Sequence, residues 1–379
     1  MKILLYSSVF WPSLGGIETI TATLAENIVK LGHECIVVTE TPSNISDKRS
    51  YQVVRKPSLG ARFTLASQCD LVHSNGASVA MYPFAKLNRK PFLWTHNGYQ
   101  VSCVDGLGWF DGEPAPMTPV ASLKHHLRKR GISHFTREAI KLTVRRYVST
   151  QVDLNIACTH WVAKRQPLKK QIVAYTPYRL SSFQAAREVK QKKYDFIFVG
   201  RLVGEKGVNQ LINAFRLLVS DPYYKYKTLV IVGNGSLRKE LETKVKELGI
   251  DQNVFFLGSK RGKELVEIIG CSKIAIVPSL WEEPMGGVAL ELLAAGLNMI
   301  VSEKGGHAEC VGEAGLKFKN GDVESLYKCM VKILEDDSVA KKQIEEALKV
   351  RKEFDEEQLT KNYIDLYWSI FRGKKRNLI

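Results

Sequence analysis

The first forty residues alternate in a way that leaves few folds open. Ile3-Leu4-Leu5-Tyr6 is a short apolar run, and Trp11-Pro12-Ser13-Leu14-Gly15-Gly16 breaks it. Residues 17–31 place Ile20, Leu24, Ile28 and Leu31 at helical spacing, Gly32 suits a helix stop, and Cys35-Ile36-Val37-Val38 is a second apolar run. Strand, glycine turn, helix and strand in that order make a β-α-β unit, which favours a parallel sheet with a right-handed crossover. Leu71-Val72-His73, Phe92-Leu93-Trp94 and Leu154-Asn155-Ile156-Ala157 read as further strands.

The alternation restarts near residue 194. Strands are expected at Phe196–Gly200, Thr228–Gly233, Val254–Leu257, Ile274–Pro278 and Met299–Val301, with helices over 207–219, 236–248 and about 286–296. The fold class is therefore α/β, with two doubly wound, Rossmann-like domains over residues 1–180 and 194–357. The Lys- and Gln-rich stretch 181–193 reads as the linker. The charged C-terminal segment is expected to form a helix over about 358–379 that packs back on the first domain, and it ends in the basic tail Arg372–Arg376.

Composition sharpens the partner question. Of 379 residues, 55 are Lys or Arg and 39 Asp or Glu, a formal charge of +16. Residues 1–189 hold 24 basic and 12 acidic residues, against 31 and 27 in residues 190–379, so the surplus sits in the first half. Such a surplus suits nucleic acid, an anionic membrane or phosphorylated ligands. The seven cysteines are scattered without a C-x-x-C pair, which reads as buried thiols in a reducing compartment. With no leader-like or membrane-spanning stretch, the expectation is a cytoplasmic protein, peripheral on the inner face of the cell membrane.

The stretch from Pro278 to Glu291, PSLWEEPMGGVALE, carries the most chemistry. A strand gives way to a loop, then Pro284 and a glycine pair, then a helix. Such a junction aims backbone N–H groups and the positive end of a helix dipole outward, which suits a phosphate. Glu283 and Glu291 stand roughly 12 Å apart along a helix axis, far enough to hold different hydroxyls of one extended ligand. The plain alternative is an ordinary loop with both carboxylates solvated. Arg201 and Lys206 follow another strand end, where doubly wound sheets collect ligands. A cation about 4 Å from a phosphate contributes roughly 4 kcal/mol at an effective dielectric near 20.

The E-x7-E pair in this context resembles the retaining glycosyltransferases of the GT-B fold, in particular the GT4 group. Gly15-Gly16-Ile17-Glu18, Thr95-His96-Asn97-Gly98, Val199-Gly200-Arg201-Leu202 with Glu205-Lys206-Gly207, and Val232-Gly233-Asn234-Gly235 agree with it in order and spacing. The resemblance implies two domains facing a cleft and transfer of a hexose from a nucleoside-diphosphate sugar, UDP-linked first and GDP-linked second. It implies no cofactor and no metal, in keeping with a sequence that has no D-x-D pair or Cys/His cluster. The catalytic set implied is His96, Glu283, Arg201 and Lys206. Donor contacts are implied for Gly16, Gly233, Met285, Gly286, Gly287 and Glu291, with Glu291 on the ribose and Glu283 on the sugar. The acceptor is expected to be a glycan or lipid-linked, as in assembly of a cell-surface polysaccharide or glycolipid. Asn97 departs from the family, which more often has a carboxylate beside the histidine. A nucleotide-sugar epimerase of the same architecture is the alternative; a dinucleotide oxidoreductase would need a third glycine after Gly235.

Between Ala121 and Ser149 eight cations, Lys124, Arg128, Lys129 and Arg130 among them, face Glu138 alone. Trp109 and Phe110 lie just before, in a loop that reads as presenting aromatics. An aromatic loop beside a cationic helix suits an anionic membrane. The other reading is a solvated helix face with both aromatics folded into the core. No helix-turn-helix, zinc or RNP-like pattern supports nucleic acid.

Overall fold

A computed structural model describes residues 1–13, 15–44 and 47–376, the last three by backbone alone. The chain divides into two compact units. The first comprises Met1–Gly108, Ala115–Arg179 and the chain from Phe354 onward; the second comprises Trp109–Pro114 and Leu180–Glu353.

In the first unit, strands β1 (Lys2–Ser7), β2 (Glu34–Thr39), β3 (Gln52–Arg55), β4 (Leu71–Asn75) and β5 (Phe92–His96) precede a two-stranded hairpin, β6 (Trp109–Phe110) and β7 (Glu113–Pro114). Strands β8 (Leu154–Ala157) and β9 (Gln171–Val173) complete a parallel sheet of order β3-β2-β1-β4-β5-β8-β9. Each strand feeds both faces, because successive side chains point oppositely. Ile3, Leu5, Cys35 and Val37 enter one core; Leu4, Tyr6, Ile36 and Val38 enter the other. That is why these strands read as unbroken apolar runs.

The first core is covered by helices Gly16–Lys30 and Glu356–Arg376. Tyr363 and Tyr367 are fully buried there, and Asn27 Nδ2 donates to Thr360 Oγ1 at 3.4 Å. Burying side chains of this size contributes on the order of 2 kcal/mol each. Residues 377–379 of the expected terminal helix, and the side chains of Lys374–Arg376 in the basic tail, lie outside the described residues. The second core is covered by helices Leu59–Gln68, Tyr82–Leu87 and Pro119–Gln151.

The second unit holds β10 (Tyr194–Val199), β11 (Leu229–Val232), β12 (Val254–Gly258), β13 (Ser272–Val277), β14 (Asn298–Ser302) and β15 (Gly315–Phe318). They form a parallel sheet of order β12-β11-β10-β13-β14-β15. The polar stretch expected as linker is not free chain. Ser181–Glu188 forms a 3₁₀ helix with Ala186 fully buried, and its carbonyl would lie 2.7 Å from a Cβ at Gly270. Small side chains at 185–186 allow that close packing, which the surrounding charges hide in the sequence.

The aromatic loop also differs from expectation. Trp109 is only 9% exposed, and its indole carbon lies 3.6 Å from where a Cβ at Gly204 would stand. The hairpin buries this indole within the second unit, so Trp109 is not offered to a lipid surface; Phe110 is half-buried beside it.

Candidate active site

The second sheet reverses its winding between β10 and β13, and ligands of doubly wound folds gather outside the strand carboxyl ends at such a point. Two loops leave there, 200–207 after β10 and 278–286 after β13. They are tied together by the Leu280 N–H donating to the Glu205 carbonyl at 2.9 Å.

Glu283, in the second loop, is buried. Lys206 Nζ donates to its Oε1 at 2.8 Å, and the Ser279 hydroxyl donates to the same oxygen. Burial alone would push this carboxyl up. The Lys206 ammonium outweighs it, with His307 and the two hydrogen bonds, and holds the group below the ordinary carboxylate range. Lys206 also lies 5.7 Å from the centre of the Trp281 ring. The pair thus sets a half-buried ammonium against a buried carboxylate, which would be left uncompensated without it.

Met285 is buried, and Gly286 caps the helix Gly287–Ala294. Its first intrahelical bond runs from the Leu290 N–H to the Gly286 carbonyl at 2.8 Å, so the preceding N–H groups have no helical acceptor. A Cβ on Gly286 would stand 2.5 Å from that of His307, so this position must be glycine for the two loops to meet. Glu291 lies on the same helix, partly buried, with no side-chain hydrogen bond or ion pair among the described residues. Burial pushes its carboxyl up to about 7. Two carboxylates eight residues apart therefore differ in state: Glu283 is ionised and paired, Glu291 is poised near neutrality.

Arg201 is exposed and pairs with Glu205 at 3.2 Å, apart from the Lys206–Glu283 couple. Gly233 has φ +148°, and a Cβ there would lie 1.8 Å from the Gly200 carbonyl oxygen. The crossing of the β10 and β11 ends therefore demands glycine at this position by itself.

In the first unit, His96 ends β5 and is fully buried. Its Nε2 is 2.9 Å from Asn155 Oδ1, and its ring centre is 4.4 Å from that of Trp94. Burial pulls its pKa down to about 4, so the ring is neutral. The sequence expectation places this ring on a donor sugar; in the structure it is buried, because β5 is an interior strand covered on both faces. Two buried polar atoms at this strand end, His96 Nδ1 and Asn97 Oδ1, have no partner among the described residues. Asn97 Nδ2 donates to Asn75 Oδ1 at 2.5 Å. A Cβ on Gly16 would find only the Tyr178 hydroxyl, at 3.4 Å, an ordinary contact.

Sequence reasoning missed Ser279, Trp281 and His307. His307 is fully buried, with Nε2 2.8 Å from Ser302 Oγ and Nδ1 unpartnered among the described residues. Burial lowers its pKa, while the nearby Glu283 carboxylate works in the opposite direction. A signal for it was present: Gly305-Gly306 follows β14 and precedes the helix Gly306–Val311, repeating the strand, glycine pair and helix order of the Glu283 loop.

Residues 182–350, almost the whole second unit, match the family of glycosyl transferases, group 1. The likeness marks a transferase enzyme. The matched segment carries Arg201, Lys206, Glu283 and Glu291. The enzyme is 26% identical over 349 residues to an uncharacterized glycosyltransferase of Methanocaldococcus jannaschii, covering 82% of this chain and 83% of that one. It is 30% identical over 196 residues to the glycogen synthase of Mycobacterium tuberculosis, covering 51% of this chain and 46% of the synthase. Its fold is similar to the crystal structure of Anabaena HepE in complex with UDP and glucose, with a TM-score of 0.72 at 17% identity over 97% of this chain and 100% of HepE. The architecture is GT-B, and the epimerase alternative gains no support from these relatives.

Proposed function

We propose that this enzyme is a retaining, metal-independent glycosyltransferase of the GT4 group that moves a hexose from a UDP-sugar to a glycan or lipid-linked acceptor. A GDP-sugar is the second choice of donor, and UDP is favoured because HepE, which shares the fold, is complexed with UDP and glucose. The observation that carries the reading is the pairing of Lys206 with the buried Glu283 beside the N-terminus of the Glu291 helix. In the reaction, the bond from the anomeric carbon to the diphosphate oxygen breaks and the acceptor oxygen bonds to that carbon with the same stereochemistry. The nucleoside diphosphate leaves as an anion, and the proton lost by the acceptor hydroxyl passes to it or to solvent. Lys206, Arg201 and the helix N-terminus are the groups to meet that charge, which grows in the transition state. A diphosphate competes with Glu283 for the Lys206 ammonium, and in doing so turns the Glu283 carboxylate toward the sugar hydroxyls. Glu291 accepts the ribose hydroxyls, with Met285, Gly286, Gly287 and Gly233 supplying backbone around the phosphates. His96 Nδ1 and Gly16, where packing leaves room for a Cβ, are assigned to the sugar.

The setting proposed is cytoplasmic and peripheral, on the inner face of the cell membrane, in polysaccharide or glycolipid assembly. Among the described residues no helix is long and apolar enough to cross a membrane. The test is acceptor-dependent release of nucleoside diphosphate, after a thermal-shift panel of UDP, GDP, ADP and their sugars has selected the donor. Release is expected only with acceptor present, at the same rate with or without a chelator. Release without acceptor, or its loss on chelation, would overturn the reading.

A further inference from the structure

The two faces of the first sheet are covered by helices of very different character. Chain connections that run from β3 towards β9 all return on one side, because each crossover is right-handed. That side holds the short helix His160–Arg165 and helices Leu59–Gln68, Tyr82–Leu87 and Pro119–Gln151. The latter three together carry ten cations and one carboxylate, Glu138. The helices on the opposite face, Gly16–Lys30 and Glu356–Arg376, carry six cations and five carboxylates.

The same three helices concentrate exposed apolar side chains. Fourteen large apolar residues are exposed among the described residues, and eight of them stand here. Gly131, with φ 78° and ψ −177°, breaks the longest helix and resets its phase. After the break, Ile132, Ile140, Val144 and Tyr147 recur at spacings of eight, four and three, which puts them on one side of the helix. Ile140 is 66% exposed, Val144 46% and Tyr147 64%, while Leu142 and Val148 on the inner side are buried. Phe63 and Leu87 add exposed apolar surface on the neighbouring helices, where Asn88 Nδ2 donates to the Phe63 carbonyl at 3.3 Å.

We propose that the outer surface of this layer docks on an anionic lipid bilayer, with the Ile132-Ile140-Val144-Tyr147 stripe seated at the headgroup–acyl boundary. Lys124 and Arg128 then face lipid phosphates. The inference rests on the peripheral-membrane reading above and moves its apolar contact from Trp109 to this stripe. Charge and apolarity together select the occupant. A second copy of this chain would set ten cations against ten, and a nucleic-acid duplex would leave the stripe with nothing to bury it. A bilayer containing acidic lipid satisfies both features at once.

Flotation of the full-length enzyme with vesicles tests this, comparing phosphatidylcholine alone with an equal mixture of phosphatidylcholine and phosphatidylglycerol. Binding is expected only to the anionic vesicles. The triple variant Ile140→Ser, Val144→Ser, Tyr147→Ser changes exposed positions only, so its fold and its affinity for UDP should persist. Its vesicle affinity should fall about tenfold or more, as lost apolar burial implies, and raising salt should then remove the remainder. Lys124→Glu with Arg128→Glu should weaken binding at low salt. Wild-type vesicle binding by the triple variant would overturn the apolar stripe while leaving an electrostatic contact. No binding by the parent enzyme would overturn membrane docking altogether, whatever its transferase activity. Displacement from vesicles by duplex DNA that binds parent and triple variant equally would assign the surface to nucleic acid instead.

Discussion

The two units use one winding scheme and treat polar groups at their strand ends in opposite ways. Both sheets start from a central strand, add two neighbours on one side and the rest on the other. In the second, the ends of β10 and β13 gather charge: Lys206 pairs with the buried Glu283, with Glu291 close by on the following helix. In the first, the ends of β4 and β5 gather neutral groups. His73 bonds to Tyr367 and Thr95, each at 2.7 Å, His96 to Asn155, and Asn75 to Thr21 and Asn97. Burial pulls His73 down to about 3 and His96 to about 4, so neither ring is charged near neutrality. The winding thus chooses where ligands gather, whereas the side chains available there decide whether the place holds charge. In the proposed reaction a leaving diphosphate would call for charge, and the second unit is where charge is gathered.

The largest expected effect that probes this contrast is on catalysis. Glu283→Ala should lower turnover by about a hundredfold or more, the scale of losing one group that answers charge in the transition state. Steady-state kinetics with the selected donor and acceptor would reveal it. A variant with parental turnover would remove the functional half of the contrast.

Acid should separate the units next. A histidine held neutral by burial supports the fold while the unfolded chain is also neutral, above about 6.5, and that support is lost as pH falls towards the folded value. His73 and His96 both act this way in the first unit, together several kcal/mol between pH 6.5 and about 4. In the second unit Glu291 works in reverse. Its folded value of about 7 exceeds the reference 4.5, so stability rises as pH falls between them, partly offset by His307. Hydrogen exchange corrected for intrinsic rates should show first-unit strands losing protection from pH 7 to 5 faster than second-unit strands. Equal slopes would contradict the assignment of buried neutral rings.

The smallest effect sharpens the role of one carboxyl. Glu291→Gln removes a group whose ionisation is disfavoured in the folded enzyme, so at pH 8 it should stabilise the free protein by about 1–3 kcal/mol. At pH 3 it should change little, because both states then hold the proton. Donor affinity should fall in the same variant, since an amide answers ribose hydroxyls less well than a carboxylate. Thermal unfolding at the two pH values checks the first claim and donor titration the second.

Much of the fold was legible because its signals are local. Apolar runs of strand length, the helical spacing of Ile20, Leu24 and Ile28, and glycines at the turns all lie within a few residues of one another. The site was legible in part for the same reason, since Glu283, Gly286, Gly287 and Glu291 stand in one strand-loop-helix passage. Trp109 and the 181–188 segment misled because their burial depends on surfaces distant in sequence. Composition reports only that an aromatic or a charged stretch exists. It does not report what lies against it.

By itself the sequence determined two β-α-β series, the position of the glycine loops at their strand ends and the excess of cations in the first half. The tertiary structure alone decided that Lys206 and Glu283, 77 residues apart, meet at 2.8 Å, that Glu291 has no side-chain partner among the described residues, and that His96 is buried and neutral. Periodicity and turn chemistry act between neighbours and so are written in order along the chain. Burial and charge pairing act through space, and they exist only once the sheet has brought distant strand ends together.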